Sequence, residues 1–170
     1  MDADRATLET AFPNLRHTSY EIASSPARTY NCIAWAAGDV GRWWWPTQMA
    51  PYYWPVGVPR EVRLESFVRA FQTLGYEVYA TGELEPEFEK VALYARNGVP
   101  THAARQLESG VWTSKLGTAH DIQHAVLAAV EGSQYGSVAQ IMRRPRHAST
   151  TGAARGCNPI AWLRRPSTRA

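Results

Sequence analysis

Residues 89–116, EKVALYARNGVPTHAARQLESGVWTSKL, contain the pattern that decides the fold. Short runs of alternating apolar and polar residues predict three β-strands. These runs cover residues 89–95, 100–107 and 111–116. The first two are separated by Asn97-Gly98, which is typical of a tight β-hairpin, and the last two by Glu108-Ser109-Gly110. The stretch therefore predicts a three-stranded antiparallel meander with His102 on its middle strand.

Helical patterns flank the meander. Residues 61–74 place apolar side chains at helical spacing and end at Gly75, and a short strand is expected at 76–79. After Gly117, we expect a helix from Thr118 to about Val130, and then a short last strand at 137–142. Together these patterns predict a single α+β domain over residues 1–142.

Cys32 lies in the segment Tyr30-Asn31-Cys32-Ile33-Ala34-Trp35-Ala36-Ala37-Gly38, which follows an N-terminal stretch that we expect to be irregular. Gly38 predicts the end of a short helix. Its start has two candidates: Ser25 as N-cap with Pro26 at the first position, or Asn31 as N-cap. A start at Asn31 puts the thiol in the first turn, where free N–H groups lower its pKa. A start at Ser25 leaves the thiol ordinary.

A cysteine on a helix, followed by a meander whose middle strand carries a histidine, resembles the papain-like superfamily of cysteine peptidases and acyltransferases. The compact NlpC-type branch is the most similar, because a polar residue on its third strand orients the histidine. Ser114, twelve residues after His102, stands at that position. The segment Asn-Cys-Ile-Ala-Trp-Ala is also similar to uncharacterised bacterial domains. The resemblance implies a papain-like fold, with a helix carrying Cys32 packed on a small sheet carrying His102.

The resemblance also implies a function: a thiol-dependent hydrolase or acyltransferase. Its substrate would be an amide or ester in a peptide, a peptidoglycan stem or a protein side chain. Cys32 would attack the carbonyl carbon and His102 would protonate the leaving group. Ser114 would fix the imidazole tautomer, with Asp121 or His124 as alternatives.

Binding residues are expected on both sides of the thiol. The Tyr30 hydroxyl or the Asn31 amide would complete an oxyanion hole with the Cys32 N–H. The substrate wall would be formed by tryptophans, namely Trp35, Trp43, Trp44, Trp45 and Trp54.

The aromatic segment 43–55 supports a second interpretation. Four prolines between positions 46 and 59 exclude a long helix or a central strand there. Its rings either pack on the core or line a cleft. The alternative function is therefore a non-catalytic papain-like module that uses this loop to hold a peptide, glycan or partner protein.

A zinc site is a competing hypothesis. His120 and His124 would share one face of the predicted helix with Asp121 between them, as in the His-Glu-x-x-His motif, and Glu131 would be the candidate third ligand. Without a metal, the Asp121 carboxylate would interact favourably with the positive end of the helix dipole. We favour the interpretation without metal, and we expect no cofactor because nucleotide-binding motifs are absent.

Charge is divided unevenly along the chain. Seven of the 18 Lys and Arg residues lie in 143–170, which contains none of the 15 acids. We expect this part to be a basic, Arg-rich C-terminal extension for which an acidic partner is possible. The remaining body is acidic and has no groove-reading motif, so nucleic-acid binding is not expected.

Apolar runs, the charges of the first residues and the number of cysteines indicate where in the cell the protein is expected. No apolar run approaches the ~20 residues that a membrane span needs, and acids among residues 1–10 argue against a secretory signal. We expect a cytoplasmic protein, or one exported without a cleavable signal peptide. Two cysteines, Cys32 and Cys157, are too few for a disulfide framework.

Overall fold

A seven-stranded antiparallel sheet runs through the computed structural model, which describes residues 2–146. The strands are β1 (Tyr20–Ile22), β2 (Glu77–Tyr79), β3 (Phe88–Arg96), β4 (Val99–Gln106), β5 (Trp112–Lys115), β6 (Asp121–His124) and β7 (Ser137–Pro145). Their order across the sheet is β1-β6-β5-β4-β3-β7-β2. The helices are α1 (Asp2–Ala11), α2 (Cys32–Ala37) and α3 (Leu64–Gln72), with 3₁₀-helices at Pro13–His17 and Leu127–Val130. The domain is therefore α+β, as predicted.

The predicted meander is confirmed as β3, β4 and β5, with His102 on the middle strand. Asn97 and Gly98 both have positive φ, 52° and 79°, as a tight hairpin with this dipeptide requires. The helix predicted at 61–74 and the strand predicted at 76–79 are also present, with shorter bounds.

Asn31 decides where α2 begins. Its side-chain oxygen accepts the backbone N–H of Ala34 at 3.1 Å, so the start at Asn31 is right and the start at Ser25 is wrong. Gly38 ends the helix with φ 83°, as expected. Cys32 is consequently the first residue of the helix.

The two faces of the sheet carry different cores, because successive side chains on a strand point to opposite faces. One core contains α2, α3 and the aromatic segment, and Leu93 and Ala103 belong to it. The other contains α1 and both 3₁₀-helices, and Tyr94 and Ala104 belong to it. The odd-numbered residues of β4 near Ala103 thus face α2, and the even-numbered ones face α1.

The helix predicted from Thr118 to Val130 is wrong. Residues in this range form β6 and a 3₁₀-helix instead. The N-terminal stretch expected to be irregular supplies the reason, because it contains β1, which pairs with β6 along its length. A partner strand offers this segment backbone hydrogen bonds that a local pattern cannot reveal.

The last strand continues past Met142, where we expected the domain to end. Arg143 and Arg144 lie in β7 and pair with carboxylates on neighbouring elements, at 2.9 Å to Glu77 and 3.3 Å to Glu89. These two arginines therefore belong to the sheet. Pro145 ends β7 and Arg146 follows it, and the remaining residues of the expected basic extension, 147–170, lie outside the described residues. An acidic partner for this extension stays a prediction. Across residues 2–146, no helix has the length and apolar character to cross a membrane.

Candidate active site

A cavity of about 290 Å³ opens beside the first turn of α2. Its lining combines the thiol with four aromatic rings and consists of Asn31, Cys32, Trp43, Trp45, Tyr52, Thr101, Gly117 and Tyr135. Cys32 therefore lines an aromatic pocket, although the residue is only 8% exposed.

The Cys32 thiol is protonated at neutral pH. Burial raises its pKa to about 11, although backbone N–H groups of Ala103, Ile33 and Cys32 itself, and the Lys115 ammonium, lower it. A pKa near 11 leaves about one thiol in 10⁴ ionised at pH 7. In the free protein, the first-turn position does not by itself produce a thiolate.

His102 is fully buried and held from one side. Its Nε2 lies 3.0 Å from the Ser114 Oγ, so the hydrogen bond that counting along the hairpin predicts is present. The Ser114 Oγ lies in turn 2.9 Å from the Nε2 of His124. The Nδ1 of His102 has no hydrogen-bond partner among the described residues. Tyr135 stacks on the imidazole at a centroid distance of 4.1 Å.

Cys32 and His102 approach from different faces of the sheet. The sulfur lies against the N–H of Ala103 on the α2 side. His102 precedes Ala103 and contacts Tyr94, which belongs to the α1-side core. No hydrogen bond joins the sulfur to the ring, since the ring's Nε2 goes to Ser114 and its Nδ1 is unpartnered. The free protein thus has an oriented imidazole on the face of the sheet opposite the thiol, without a thiol–imidazole hydrogen bond.

Asp121, an alternative orienting residue, contacts other groups. Its Oδ2 accepts hydrogen bonds from Tyr30 at 2.7 Å and Ser24 at 2.8 Å, and its Oδ1 lies 3.6 Å from the Lys115 ammonium. The Tyr30 hydroxyl expected in the oxyanion hole is therefore committed to Asp121. Of the alternatives to Ser114, His124 is the one connected to His102, through Ser114 itself.

Asn31 joins α2 to the aromatic segment. Its Nδ2 donates to the Trp44 carbonyl at 2.8 Å, and its Oδ1 accepts the Trp44 N–H at 3.2 Å. This double hydrogen bond fixes the aromatic segment against the start of the helix, which places Trp43 and Trp45 at the cavity.

The predicted tryptophan wall is divided between cavity and core. Trp43 and Trp45 line the cavity. The other three tryptophans lie outside its lining and donate their Nε1–H to other groups: Trp35 to the Thr113 hydroxyl, Trp44 to Asp39 and Trp54 to the Pro59 carbonyl.

Four lining residues were missed from sequence, and they are Tyr52, Thr101, Gly117 and Tyr135. Tyr52 belongs to the aromatic segment and could have been included by composition. Tyr135 lies in a loop without a periodic pattern, and its carbonyl accepts a hydrogen bond from Thr101 at 2.5 Å. Only the fold brings that loop to the cavity.

The helical zinc geometry is wrong because its segment is a strand. Residues four apart on a strand lie about 13 Å from each other, and the His124 ring is bonded to Ser114 and the Val126 carbonyl. Among residues 2–146, no group of three or more His, Cys, Asp and Glu side chains is arranged to hold a metal ion.

The buried histidines predict acid sensitivity. Burial lowers the pKa of His124 to about 4, and burial together with His124 lowers that of His102 well below its usual value. Unfolded histidines titrate near 6.5. Below that pH the unfolded chain therefore binds protons that the folded domain does not, and stability falls as pH drops toward 4. The pKa difference of His124 alone corresponds to about 3 kcal/mol.

Urea unfolding at pH 7 and pH 4 checks this prediction. We expect a clearly lower midpoint at pH 4 and a smaller difference in His124→Gln. Replacement of the exposed His17 by Gln should leave the wild-type difference intact. Equal wild-type midpoints at the two pH values would contradict the prediction.

Fold and cavity together define an α+β domain with a buried thiol at the base of an aromatic pocket. A family model described as a domain of unknown function, DUF7689, matches residues 21–143. The chain belongs to this family, and the matched region includes Cys32, His102, Ser114 and His124. No match was found among curated proteins or among solved structures.

Proposed function

We propose that this domain is a thiol-dependent hydrolase or acyltransferase with a papain-like arrangement, in which Cys32 is the nucleophile and His102 the base. Its substrate is an amide or ester of a peptide, a peptidoglycan stem or a protein side chain. One observation carries the proposal: His102 keeps a buried, unpartnered Nδ1 while Ser114 holds its Nε2, and the N–H of the next residue, Ala103, reaches the Cys32 sulfur.

The reaction begins from neutral partners, because burial keeps the thiol protonated and the imidazole uncharged. As the sulfur bonds to the carbonyl carbon, the thiol proton passes to the Nδ1 of His102 and the carbonyl electron pair moves onto oxygen. The imidazolium then gives the proton to the departing nitrogen or oxygen, which leaves an acyl-thioester on Cys32. Water or an amine attacks the thioester and regenerates the thiol.

Substrate binding has a defined task in this scheme. Catalytic hydrogen bonds are often long in free enzymes and tighten when substrate is present. The scheme therefore requires that filling of the aromatic pocket brings the sulfur within hydrogen-bond reach of the Nδ1 of His102, which lies on the other face of the sheet in the free protein. The N–H groups of Cys32 and Ala103, which hydrogen-bond to the sulfur in the free protein, are the donors available to the carbonyl oxygen.

Acylation by 4-nitrophenyl acetate tests the proposal in a Cys157→Ser background, where Cys32 is the only thiol. We expect peptide mapping to place one acetyl group on Cys32, faster at pH 7 than in the same protein unfolded in guanidinium chloride. His102→Ala, with folding checked by circular dichroism, should slow acylation about 10²–10⁴-fold. A folded Cys32 that reacts no faster than the unfolded thiol argues against the enzyme.

That negative result would favour the second candidate, a binding module. The observation in its favour is the same pocket, where aromatic rings surround a thiol that is protonated and not bonded to His102. The module would hold a peptide, glycan or partner protein by stacking. On peptide and glycan arrays, Trp43→Leu should then remove binding, whereas Cys32→Ala should retain it.

A further inference from the structure

A chain of three hydrogen bonds runs through the interior on the α1 side of the sheet. It begins at the Val126 carbonyl, which lies 2.8 Å from the Nδ1 of His124. The Nε2 of His124 lies 2.9 Å from the Ser114 Oγ, which lies 3.0 Å from the Nε2 of His102. Ser114 is 0% exposed and both histidines are 1% exposed, so the three side chains are buried together.

The chemistry of the groups fixes the direction of every bond. A carbonyl oxygen only accepts, so the Nδ1 of His124 carries the proton. Since burial lowers the pKa of His124 to about 4, the ring is neutral near pH 7 and its Nε2 accepts. The Ser114 hydroxyl therefore donates its one proton to His124. Its oxygen is left to accept from His102, whose Nε2 must carry hydrogen.

We propose that His124 is a positioning residue that acts through Ser114 to hold His102 as the tautomer with a bare Nδ1. The functional meaning of this inference rests on the proposed function, in which the bare Nδ1 of His102 takes the proton from Cys32. The tautomer itself is independent of any reaction. A ring with hydrogen on Nδ1 could not accept that proton.

His124 is needed because a serine alone does not select a tautomer. A hydroxyl both donates and accepts, so without His124 it could turn and donate to the Nε2 of His102. That turn would put the hydrogen on Nδ1. The other ring contacts of His102 are made by Tyr94, edge-on at 5.2 Å, and Tyr135, stacked at 4.1 Å. Neither tyrosine hydroxyl hydrogen-bonds to the ring, since no such bond exists among the described residues.

Long-range ¹H–¹⁵N correlation spectra of the histidine rings test the inference on the intact chain near pH 7. In the wild type we expect hydrogen on Nε2 of His102 and on Nδ1 of His124. His124→Leu, which removes the acceptor, should convert at least a several-fold larger share of His102 to the Nδ1–H form. His124→Gln, which returns an oxygen near the position of Nε2, should restore the wild-type form, and His17→Gln should change nothing.

Two results would overturn the inference: a wild-type His102 with hydrogen on Nδ1, or a folded His124→Leu variant whose His102 tautomer is unchanged. The wild-type spectrum keeps the test decisive even if a variant does not fold. Acetylation of Cys32, measured separately, distinguishes the two proposals. The expected tautomers without acylation would leave this inference standing and refute the function. Acylation with the opposite tautomer would refute this inference and the proton transfer to Nδ1, and would leave Cys32 as the nucleophile.

Discussion

Lys115→Met is expected to lower the free energy of unfolding by about 3–5 kcal/mol, because it leaves a buried carboxylate without its cation. The Lys115 side chain is 0% exposed and that of Asp121 is 3% exposed, with 3.6 Å between the ammonium and Oδ1. That oxygen has no hydrogen bond within residues 2–146. The ammonium is therefore its main compensation, and methionine fills similar space without a charge. Urea unfolding at pH 7 measures the loss.

The double variant Lys115→Met/Asp121→Asn is the matched control. Removing both charges avoids the uncompensated carboxylate, so the double variant should recover most of the lost stability. The exposed pair of Arg69 and Glu65 gives the comparison at the surface, and Arg69→Met should cost no more than about 0.5 kcal/mol. A loss below about 1 kcal/mol in the single variant would show that the buried pair does not act as described.

Phe67→Ala is expected to cost about 3–5 kcal/mol, the range for removing a large buried ring. Phe67 is 0% exposed, and its ring makes T-shaped contacts with two tryptophan rings, at centroid distances of 5.1 Å to Trp54 and 5.5 Å to Trp45. Trp45 also lines the cavity, so loss of the ring removes support from the pocket wall. Thermal and urea unfolding measure the stability, and quenching of tryptophan fluorescence by acrylamide measures the exposure of the wall.

Phe67→Leu separates the two effects. Leucine keeps most of the volume, so we expect a cost below about 1.5 kcal/mol and little change in quenching. If alanine and leucine cost the same, the ring does not carry the packing between α3 and the aromatic segment.

The meander could be predicted because its signals are local. Asn97-Gly98 specifies a hairpin by itself, and the alternation on either side fixes which residues share a face. The hydrogen bond between His102 and Ser114 follows from this register, and it is the part of the candidate site that sequence located best. From the local sequence, Asn31 and Ser25 were equally good candidates for the N-cap of α2. In the fold, the Trp44 backbone forms two hydrogen bonds with the Asn31 side chain, and these favour Asn31 as the N-cap.

The failures have a common cause in contacts that are distant along the chain. A four-residue strand such as β6 is too short for periodicity to separate it from a helix, and its partner β1 lies about a hundred residues earlier. Alternation along a strand puts neighbouring residues such as His102 and Ala103 on opposite faces. It could not show that α2 packs on the face of Ala103, which separates the thiol from the imidazole ring.

The strand order has a consequence for how this protein meets other copies of itself. Both outermost strands, β1 and β2, are only three residues long. Long open edges are the places where sheets of separate molecules join and begin to aggregate. Here each edge offers few free backbone groups, and Glu21 adds an exposed carboxylate to the β1 edge. Both edges of the seven-stranded sheet therefore disfavour edge-to-edge association of its strands with those of another molecule.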